Sequence, residues 1–152
     1  MRDIIIRKYQ PKDKNQVKKV VLSVMQDLRP GYSLESEERN KDLEDIPKYY
    51  SRKGNFWVVE DNDRIVGTVG ILDDHGDFVW LKRLFLLSSY RMKGIGRKLL
   101  KIALDHCKKE HIKQIRAITS THVEIAENML VKTGFILYKQ DGDLLFYRKD
   151  FV

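Results

Sequence analysis

Cysteine and long apolar runs are both scarce in this chain of 152 residues. Cys107 is the single cysteine, so no internal disulfide can form, and the four histidines do not stand at spacings typical of a zinc site. The longest apolar runs contain four residues, as at 84–87, whereas a membrane-spanning helix needs about 20. The opening residues Met1, Arg2 and Asp3 are not typical of a signal peptide. We therefore expect a reduced, cytoplasmic protein with no structural zinc and no membrane anchor.

The length and the 42% share of hydrophobic residues are sufficient for one core. We find no internal repeat, low-complexity tract or linker that divides the chain. The sequence therefore predicts a single domain over residues 1–152.

Positive charge predominates, with 29 Lys and Arg against 22 Asp and Glu, a net charge of +7. The excess lies in residues 82–116, where eleven basic and two acidic residues give a net charge of +9. This segment is suited to a phosphorylated small ligand, a nucleic acid or an anionic surface, or its lysines form the solvated face of a helix. Residues 31–77 carry twelve acids and six bases, which either attract a cationic acceptor or are simply solvated surface.

Apolar periodicity predicts a mixed α/β layer. Strands are predicted at 4–6, 56–60, 64–72, 78–87, 114–120, 135–140 and 144–147. Helices are predicted at 17–28, 94–110 and 123–132, with a weaker helix or helical loop at 36–50 that Pro47 interrupts. The order strand, loop, helix, strand over 78–120 indicates a central parallel crossover. The expected fold is a mixed, mostly antiparallel twisted sheet of about seven strands with about four helices.

The segment from Arg91 to Gly96 lies between a predicted strand and a predicted helix. A helix start presents unsatisfied N–H groups and a positive dipole end, and glycine allows an anion to approach the main chain closely. The loop therefore predicts a pyrophosphate site, although a Gly-x-Gly pair alone is also typical of a tight turn. A Rossmann loop would need glycine where Leu99 stands, and a P-loop would need Gly-Lys-Ser/Thr, so neither fits.

These residues give the sequence a resemblance to the GNAT N-acetyltransferase superfamily, whose members use acetyl-CoA. Arg91, Gly94 and Gly96 occupy the fixed positions of its Arg/Gln-x-x-Gly-x-Gly/Ala motif. A second family signature is matched near the end of the next helix, at Ala126, Lys132, Gly134 and Phe135. The resemblance covers nearly the whole chain and implies a GNAT-like fold and activity.

The resemblance also implies where acetyl-CoA binds. The pantetheine arm would bond the main chain of Leu84, Phe85 and Leu86, and the Leu86 N–H would stabilise the thioester oxyanion. The remaining implied cofactor contacts are those of the loop and helix start: Arg91, Met92, Lys93, Gly94, Ile95, Gly96 and Arg97. Cofactor would enter between two splayed strands from one side and acceptor from the other. No metal is expected.

Two departures from the family pattern concern proton transfer. The frequent tyrosine that protonates the leaving thiolate is Leu130 here, and the asparagine of the second motif is Val123. Tyr138, Tyr147 or water can replace the acid, and a thiol pKa near 8.5 makes the need modest.

The base that deprotonates the amine is predicted to be a carboxylate acting through water. The candidates are Glu60, Asp77 and Glu124. Arg83 either orients an acceptor carboxylate or forms a salt bridge.

Three functions follow, in order of preference. The first is direct transfer of acetyl from acetyl-CoA to a primary amine of a small molecule or peptide. The second is a non-catalytic acyl-CoA sensor or partner-binding module, favoured by the missing tyrosine. The third is nucleic-acid binding, ranked last because the sequence shows no aromatic stacking ribbon. The edge of the terminal hairpin at 144–147 can also pair with that of a second chain and form a homodimer.

Overall fold

The strand-forming segments of the sequence build one sheet. The computed structural model describes residues 3–34, 38–121 and 124–151. Its strands are β1 (Ile4–Lys8), β2 (Asn55–Asp61), β3 (Arg64–Leu72), β4 (Val79–Leu86), β5 (Gln114–Ser120), β6 (Ile136–Asp141) and β7 (Leu144–Asp150). They are ordered β1-β2-β3-β4-β5-β7-β6, and β4 runs parallel to β5 while the other neighbours are antiparallel. The predicted mixed sheet of seven strands with a central parallel crossover is confirmed.

Four α-helices accompany the sheet in the described residues. They are α1 (Lys14–Leu28), α2 (Ile46–Tyr49), α3 (Ile95–Lys109) and α4 (Glu124–Lys132). Short 3-10 helices occur at Pro11–Asp13, Glu38–Glu44 and Ser88–Tyr90.

Of the two predictions for 36–50, a weaker helix or a helical loop, the described part forms the helical loop. A 3-10 helix ends at Glu44, and a separate turn, α2, begins after Asp45. The Asp45 side chain accepts from the Lys48 N–H at 3.3 Å, and Pro47 occupies the first turn of α2. An N-cap and a proline at this point start a new helix rather than continue an old one. Residues 36 and 37 lie outside the described residues.

The sheet has a core on each face. On one face α1 packs over β3 and β4 around Val17, Val21 and Val58, which are fully buried. On the other face α3 packs over β3 and β4, and α4 contacts β5. Ile115 and Tyr147 of the β5–β7 pair belong to this second core.

The α1 side of the sheet is unequally covered. The described helices on that side contact β3 and β4, whereas the same face of β5, β7 and β6 carries exposed residues such as Ile118 (44% exposed) and Ile136 (63% exposed). On β5 and β7 the residues of this face alternate with buried ones, whereas β6 has no buried residue and contains a bulge. We call it the open face and define it by Arg116, Ile118, Ile136, Tyr138, Phe146 and Arg148.

Candidate active site

A gap opens between the two parallel central strands. In the fully described strands β4 and β5, residues pair at Val79↔Ile115 and Trp80↔Arg116, near the start of both strands. The strands continue to Leu86 and Ser120 without further paired residues in the described register. We call this space between their carboxyl-terminal halves the strand gap. Its walls present main-chain groups that the sheet itself does not use.

A β-bulge turns the main chain of β4 at the strand gap. Thr68 of β3 pairs with Phe85, whereas Gly70 pairs with Lys82, so β4 contains one extra residue between these positions. Arg83 lies in this bulge with a positive φ of 55°, and its carbonyl accepts from Thr68 Oγ1 at 2.7 Å. Bulges locally break the ladder and re-aim the groups beside it.

The amides of Leu84 and Leu86 face away from β3. Leu87 N–H donates to Val66 O of β3 at 2.9 Å, and main-chain groups alternate in direction along a strand, so those of Leu86 point to the opposite edge. The Leu86 carbonyl there accepts from Arg91 Nε at 3.0 Å. The Leu86 N–H, predicted as oxyanion donor, thus points towards the strand gap. The Arg83 carbonyl accepts from Thr68 of β3, and the Leu84 N–H of the same trans peptide therefore points away from β3.

Leu84 is a possible donor that sequence reasoning assigned only to pantetheine contact. The orientation of the Leu84 amide depends on the bulge, and no residue type in this segment predicts that bulge. Arg83 adopts a positive φ that is rare for residues other than glycine, asparagine and aspartate.

The loop that follows β4 is anchored to the sheet before it reaches α3. Tyr90 is buried, and its hydroxyl donates to Asp61 Oδ2 of β2 at 2.5 Å. Met92 is 88% exposed, with φ 63°. Gly94 then caps the start of α3 in the left-handed conformation, with φ 81°. The loop is therefore fixed at its base and exposed at its tip.

The two glycines of the loop serve different purposes. A Cβ built on Gly94 meets no atom within 4 Å, so the position needs glycine for its φ and faces open space. A Cβ on Gly96 lies 3.5 Å from Met129 Cε of α4, which is an ordinary packing distance. The amides at the start of α3 lack intrahelical carbonyl partners by helix geometry, and they point outward beside Gly94.

Basic side chains surround this helix start. Lys93 and Arg97 are exposed, and Lys93 Nζ lies 5.9 Å from the centre of the Tyr90 ring. Arg91 is half-buried and uses its Nε on Leu86. The helix dipole, the free amides and these cations make the position suitable for a diphosphate.

The structure places two of the three predicted bases, Glu60 and Asp77, away from the strand gap. Glu60 lies on β2, and its Oε1 accepts from Arg7 Nη2 at 3.0 Å. Asp77 precedes β4, at the end opposite to the strand gap. Glu124 begins α4, but its side chain lies outside the described residues. We therefore place Glu60 in an ion-pair cluster with Arg7 rather than at the strand gap.

The tyrosines predicted as substitute acids are both engaged elsewhere. Tyr138 lies on β6, where its ring packs edge-on against Phe146 and lies 5.1 Å from the Arg116 guanidinium. Tyr147 is 1% exposed and donates to Glu127 Oε1 at 2.8 Å. Burial and the Glu127 carboxylate raise the Tyr147 pKa to about 12.

Arg83 takes the second of its two predicted roles, the salt bridge. Its Nη2 lies 2.7 Å from Asp42 Oδ1 and its Nε 3.0 Å from Asp42 Oδ2, a two-point ion pair. Nη2 also donates to Asn40 Oδ1 at 3.0 Å, and the Tyr50 hydroxyl donates to Asp42. The pair ties the 3-10 helix Glu38–Glu44 to the β4 bulge.

Cys107 and Leu130 are core residues. Cys107 is fully buried, and burial raises its thiol pKa to about 12. Leu130 is 3% exposed. Among the described residues, no helix is long and apolar enough to cross a membrane, and no three potential metal ligands come together.

Comparisons with known proteins agree with this geometry. The probable N-acetyltransferase camello of Xenopus tropicalis is 32% identical over 108 residues, which is 68% of this chain and 49% of that protein. The chain spans about half the length of the curated relatives it matches first.

Two solved structures share the fold over almost their full length. A GNAT-family acetyltransferase from Staphylococcus aureus superposes with a TM-score of 0.86 at 27% identity, covering 97% of this chain and 99% of that one. The PaiA N-acetyltransferase from Thermoplasma acidophilum, solved with coenzyme A, has a TM-score of 0.81 at 21% identity, covering 98% and 99%. The second likeness, at its lower identity, concerns the fold alone.

The family model for the Acetyltransferase (GNAT) family matches residues 21–135. This match includes the strand gap, the Gly94 loop and α4, and with them the chain belongs to the GNAT acetyltransferase family.

Proposed function

We propose that this protein transfers an acetyl group directly from acetyl-CoA to a primary amine. The observation that carries the proposal is the adjacency of two features: the strand gap with its outward main-chain groups, and the α3 start at Gly94 with exposed amides and cations. The strand gap suits an amide-bearing pantetheine arm, and the α3 start suits a diphosphate. A structural neighbour of the same fold was solved with coenzyme A.

In this mechanism the chain supplies positioning and main-chain hydrogen bonds. The amine nitrogen attacks the thioester carbon, and the oxyanion that forms accepts from the N–H of Leu86 or Leu84 beside the bulge. The carbon–sulfur bond then breaks, the acetylated amine loses its proton, and CoA leaves as a thiolate.

The leaving thiolate does not need a tyrosine acid. A thiol pKa near 8.5 allows the thiolate to depart at neutral pH and take a proton from water. Donation from Tyr147, with its pKa of about 12, would be uphill by about 3.5 pKa units. Leu130 in place of the family tyrosine is therefore compatible with turnover.

The placement of Glu60 and Asp77 favours an α-amino group as acceptor. Glu60 is paired with Arg7, and Asp77 lies at the far end of β4. An α-amino group has a pKa of about 8, so roughly a tenth is unprotonated at pH 7, whereas a lysine with pKa about 10.4 has well below 0.1%. Water suffices to accept the proton from the former.

The first experiment tests the loop by isothermal titration calorimetry with acetyl-CoA. We expect a Kd of roughly micromolar size and at least about a tenfold loss of affinity in Gly94→Ala. Gly31→Ala is the matched control, because Gly31 has φ 87° and an added Cβ there also meets no atom within 4 Å. Both variants bear the same backbone strain, so equal affinities in the two would refute the loop as the diphosphate site.

The second experiment separates transfer from sensing. Acetyl-CoA is incubated with amino acids, polyamines, aminoglycosides, and N-terminal or lysine peptides, and thiol release is measured. Release above hydrolysis with any amine supports transfer. Tight acetyl-CoA binding with no release across the panel would favour the non-catalytic sensor.

A further inference from the structure

Arg116 lies at the floor of the strand gap. It is paired with Trp80 at the last paired position of β5 and β4, just before the two strands part. Its neighbours Ile115 and Ala117 are buried in the α3 core, so the Arg116 side chain lies on the open face. This is the side opposite to α3 and its Gly94 loop.

The Arg116 guanidinium is held by uncharged groups. Its central carbon lies 3.7 Å from the centre of the Phe78 ring and 5.1 Å from that of Tyr138. Nε donates to Gln114 Oε1 at 2.6 Å, and Gln114 Nε2 in turn donates to Asp150 Oδ1 at 2.6 Å. In the described part of the chain, the terminal nitrogens of Arg116 contact no carboxylate. The guanidinium plane is therefore oriented, and its terminal nitrogens remain available to pair with two oxygens of a ligand.

Three further cations accompany Arg116. Arg148 stands opposite it on β7, with its guanidinium 5.9 Å from the Tyr138 ring centre. Lys139 Nζ lies 4.9 Å from the Phe146 ring centre, and Lys82 Nζ lies 5.9 Å from that of Trp80. Described carboxylates near these cations are already hydrogen-bonded: Asp150 to Gln114, Asp74 to Trp80 Nε1, and Asp42, near Lys82, to Arg83.

The patch thus combines cations with apolar surface. Ile118 is 44% exposed and lies two residues along β5 from Arg116, towards the end of the strand gap. Phe146 is half-buried and pairs with Ile118. Ile118 and Phe146 therefore offer apolar contact alongside the strand gap, with Arg116 and Arg148 two residues nearer its floor.

We propose that the open face binds an acidic peptide whose N-terminal amine enters the strand gap, with Arg116 pairing to a carboxylate of that peptide. The proposal rests on the proposed function and names its acceptor class. Charge complementarity selects this occupant: a symmetric second copy would place the same cations against each other, which is unfavourable.

The length of β4 determines how far the carboxylate lies from the amine. Six residues separate Trp80, opposite Arg116, from Leu86, whose N–H is a candidate oxyanion donor. At about 3.3 Å per residue this is about 20 Å along the strand. A free amino acid cannot span that distance, whereas an extended peptide spans it in about five or six residues.

The direct test is fluorescence anisotropy with a synthetic peptide labelled at its C-terminus. The probe has a free N-terminus, four small neutral residues and glutamates at positions five and six; its partner carries glutamines there. We expect the acidic probe to bind at least about tenfold more tightly than the neutral one, and Arg116→Gln to abolish that preference. Lys109→Gln removes the same charge from an exposed end of α3 and is expected to keep the preference.

Kinetics supply a second readout that a loss of folding cannot mimic. Acetylation of the acidic peptide is expected to show a KM about tenfold higher in Arg116→Gln with kcat unchanged, while turnover of the neutral peptide stays at the native level. Phe78→Leu, which removes the stacked ring but no charge, is expected to raise the same KM by a smaller factor.

The outcomes are distinguishable from a failure of the proposed function. If acetyl-CoA binds but both peptides bind equally, or Arg116→Gln keeps the preference, the acidic-peptide assignment is overturned and the acetyltransferase proposal stands. If acetyl-CoA does not bind, the anisotropy measurement still decides the peptide site. Tighter binding of a ten-residue polyuridine than of the acidic peptide would assign the face to nucleic acid instead, and dimerisation lost in Arg116→Gln would assign it to a second copy.

Discussion

Arg83 and Arg116 lie on adjacent central strands, both on the α1 side of the sheet, and are held in opposite ways. Arg83 is enclosed by polar partners: Asp42 on two of its nitrogens, with Asn40 beside it. Arg116 lies against Phe78 and Tyr138 and hydrogen-bonds a neutral amide. One cation is neutralised by the fold, and the other is only oriented by it.

The difference separates a structural charge from a recognition charge. The Arg83 and Asp42 side chains are 12% and 11% exposed, so each ion depends on the other for the solvation it has lost. Arg116 is half-buried and retains access to water or to a ligand. Removing Arg83 should therefore damage the fold, whereas removing Arg116 should damage recognition.

The largest expected effect is that of Arg83→Gln on stability. The substitution leaves the Asp42 carboxylate buried without its cation, and we expect the free energy of unfolding to fall by about 3 kcal/mol. Guanidinium denaturation at pH 7 measures it, with Arg116→Gln as the matched loss of one arginine. Equal losses in the two variants would contradict the distinction, and a partial recovery in the Asp42→Asn, Arg83→Gln double variant would support it.

Low pH should weaken the stabilisation that arginine–carboxylate pairs provide, and the pair of Arg7 and Asp13 shows why. Burial alone would raise the Asp13 pKa, but hydrogen bonds from Arg7 and the Gln10 N–H outweigh it and hold that pKa below its ordinary value. The stabilisation is therefore complete above about pH 4, the unfolded value, and is lost as the pH falls through the lower folded value.

Asp13→Asn tests this sign. At pH 7 we expect it to cost about 1.5 kcal/mol, because the charged hydrogen bonds are weakened, and the difference from the native chain should shrink between about pH 4 and pH 2. Urea denaturation across this pH range measures how the free energy of unfolding changes with pH in the variant and in the native chain. Arg116→Gln, which leaves the Asp13 pair intact, should follow the native slope, and a constant gap between Asp13→Asn and the native chain would rule out the ion pair as the source.

Much of the fold follows from local sequence patterns. Period-two alternation and β-branched residues placed the strands, and the segment after β4 predicted a helix start at Gly94, where φ is 81°. In the stretch before Tyr50 the pattern left a helix and a helical loop open, and the cap at Asp45 starts a separate helical turn. Local rules succeed where residues close in sequence determine the structure.

The site was less predictable because its decisive features are non-local. The bulge at Arg83 depends on the register between β3 and β4, and Arg83 itself gives no sign of its positive φ. The environment of Arg116 combines Phe78, Gln114 and Tyr138 from three separate segments. Nothing in the sequence therefore indicated that the folded sheet brings the Phe78 and Tyr138 rings together around Arg116.

The smallest expected effect is that of Arg116→Gln on stability. A small effect is required if Arg116, unlike Arg83, serves recognition rather than the fold. Cation–π contact at a half-exposed site is worth about 0.5–1 kcal/mol, and glutamine keeps a polar group beside Gln114. We expect the free energy of unfolding to change by about 0.5 kcal/mol, measured in the same denaturation series as Arg83→Gln. A loss above about 2 kcal/mol would mean that Arg116 is needed for the fold, and any change in peptide binding would then have to be attributed to the damaged sheet. A small loss together with a vanished preference for acidic peptides would instead mean that the rings and Gln114 hold Arg116 in place for a ligand. That role is indicated by its terminal nitrogens, which contact no carboxylate among the described residues.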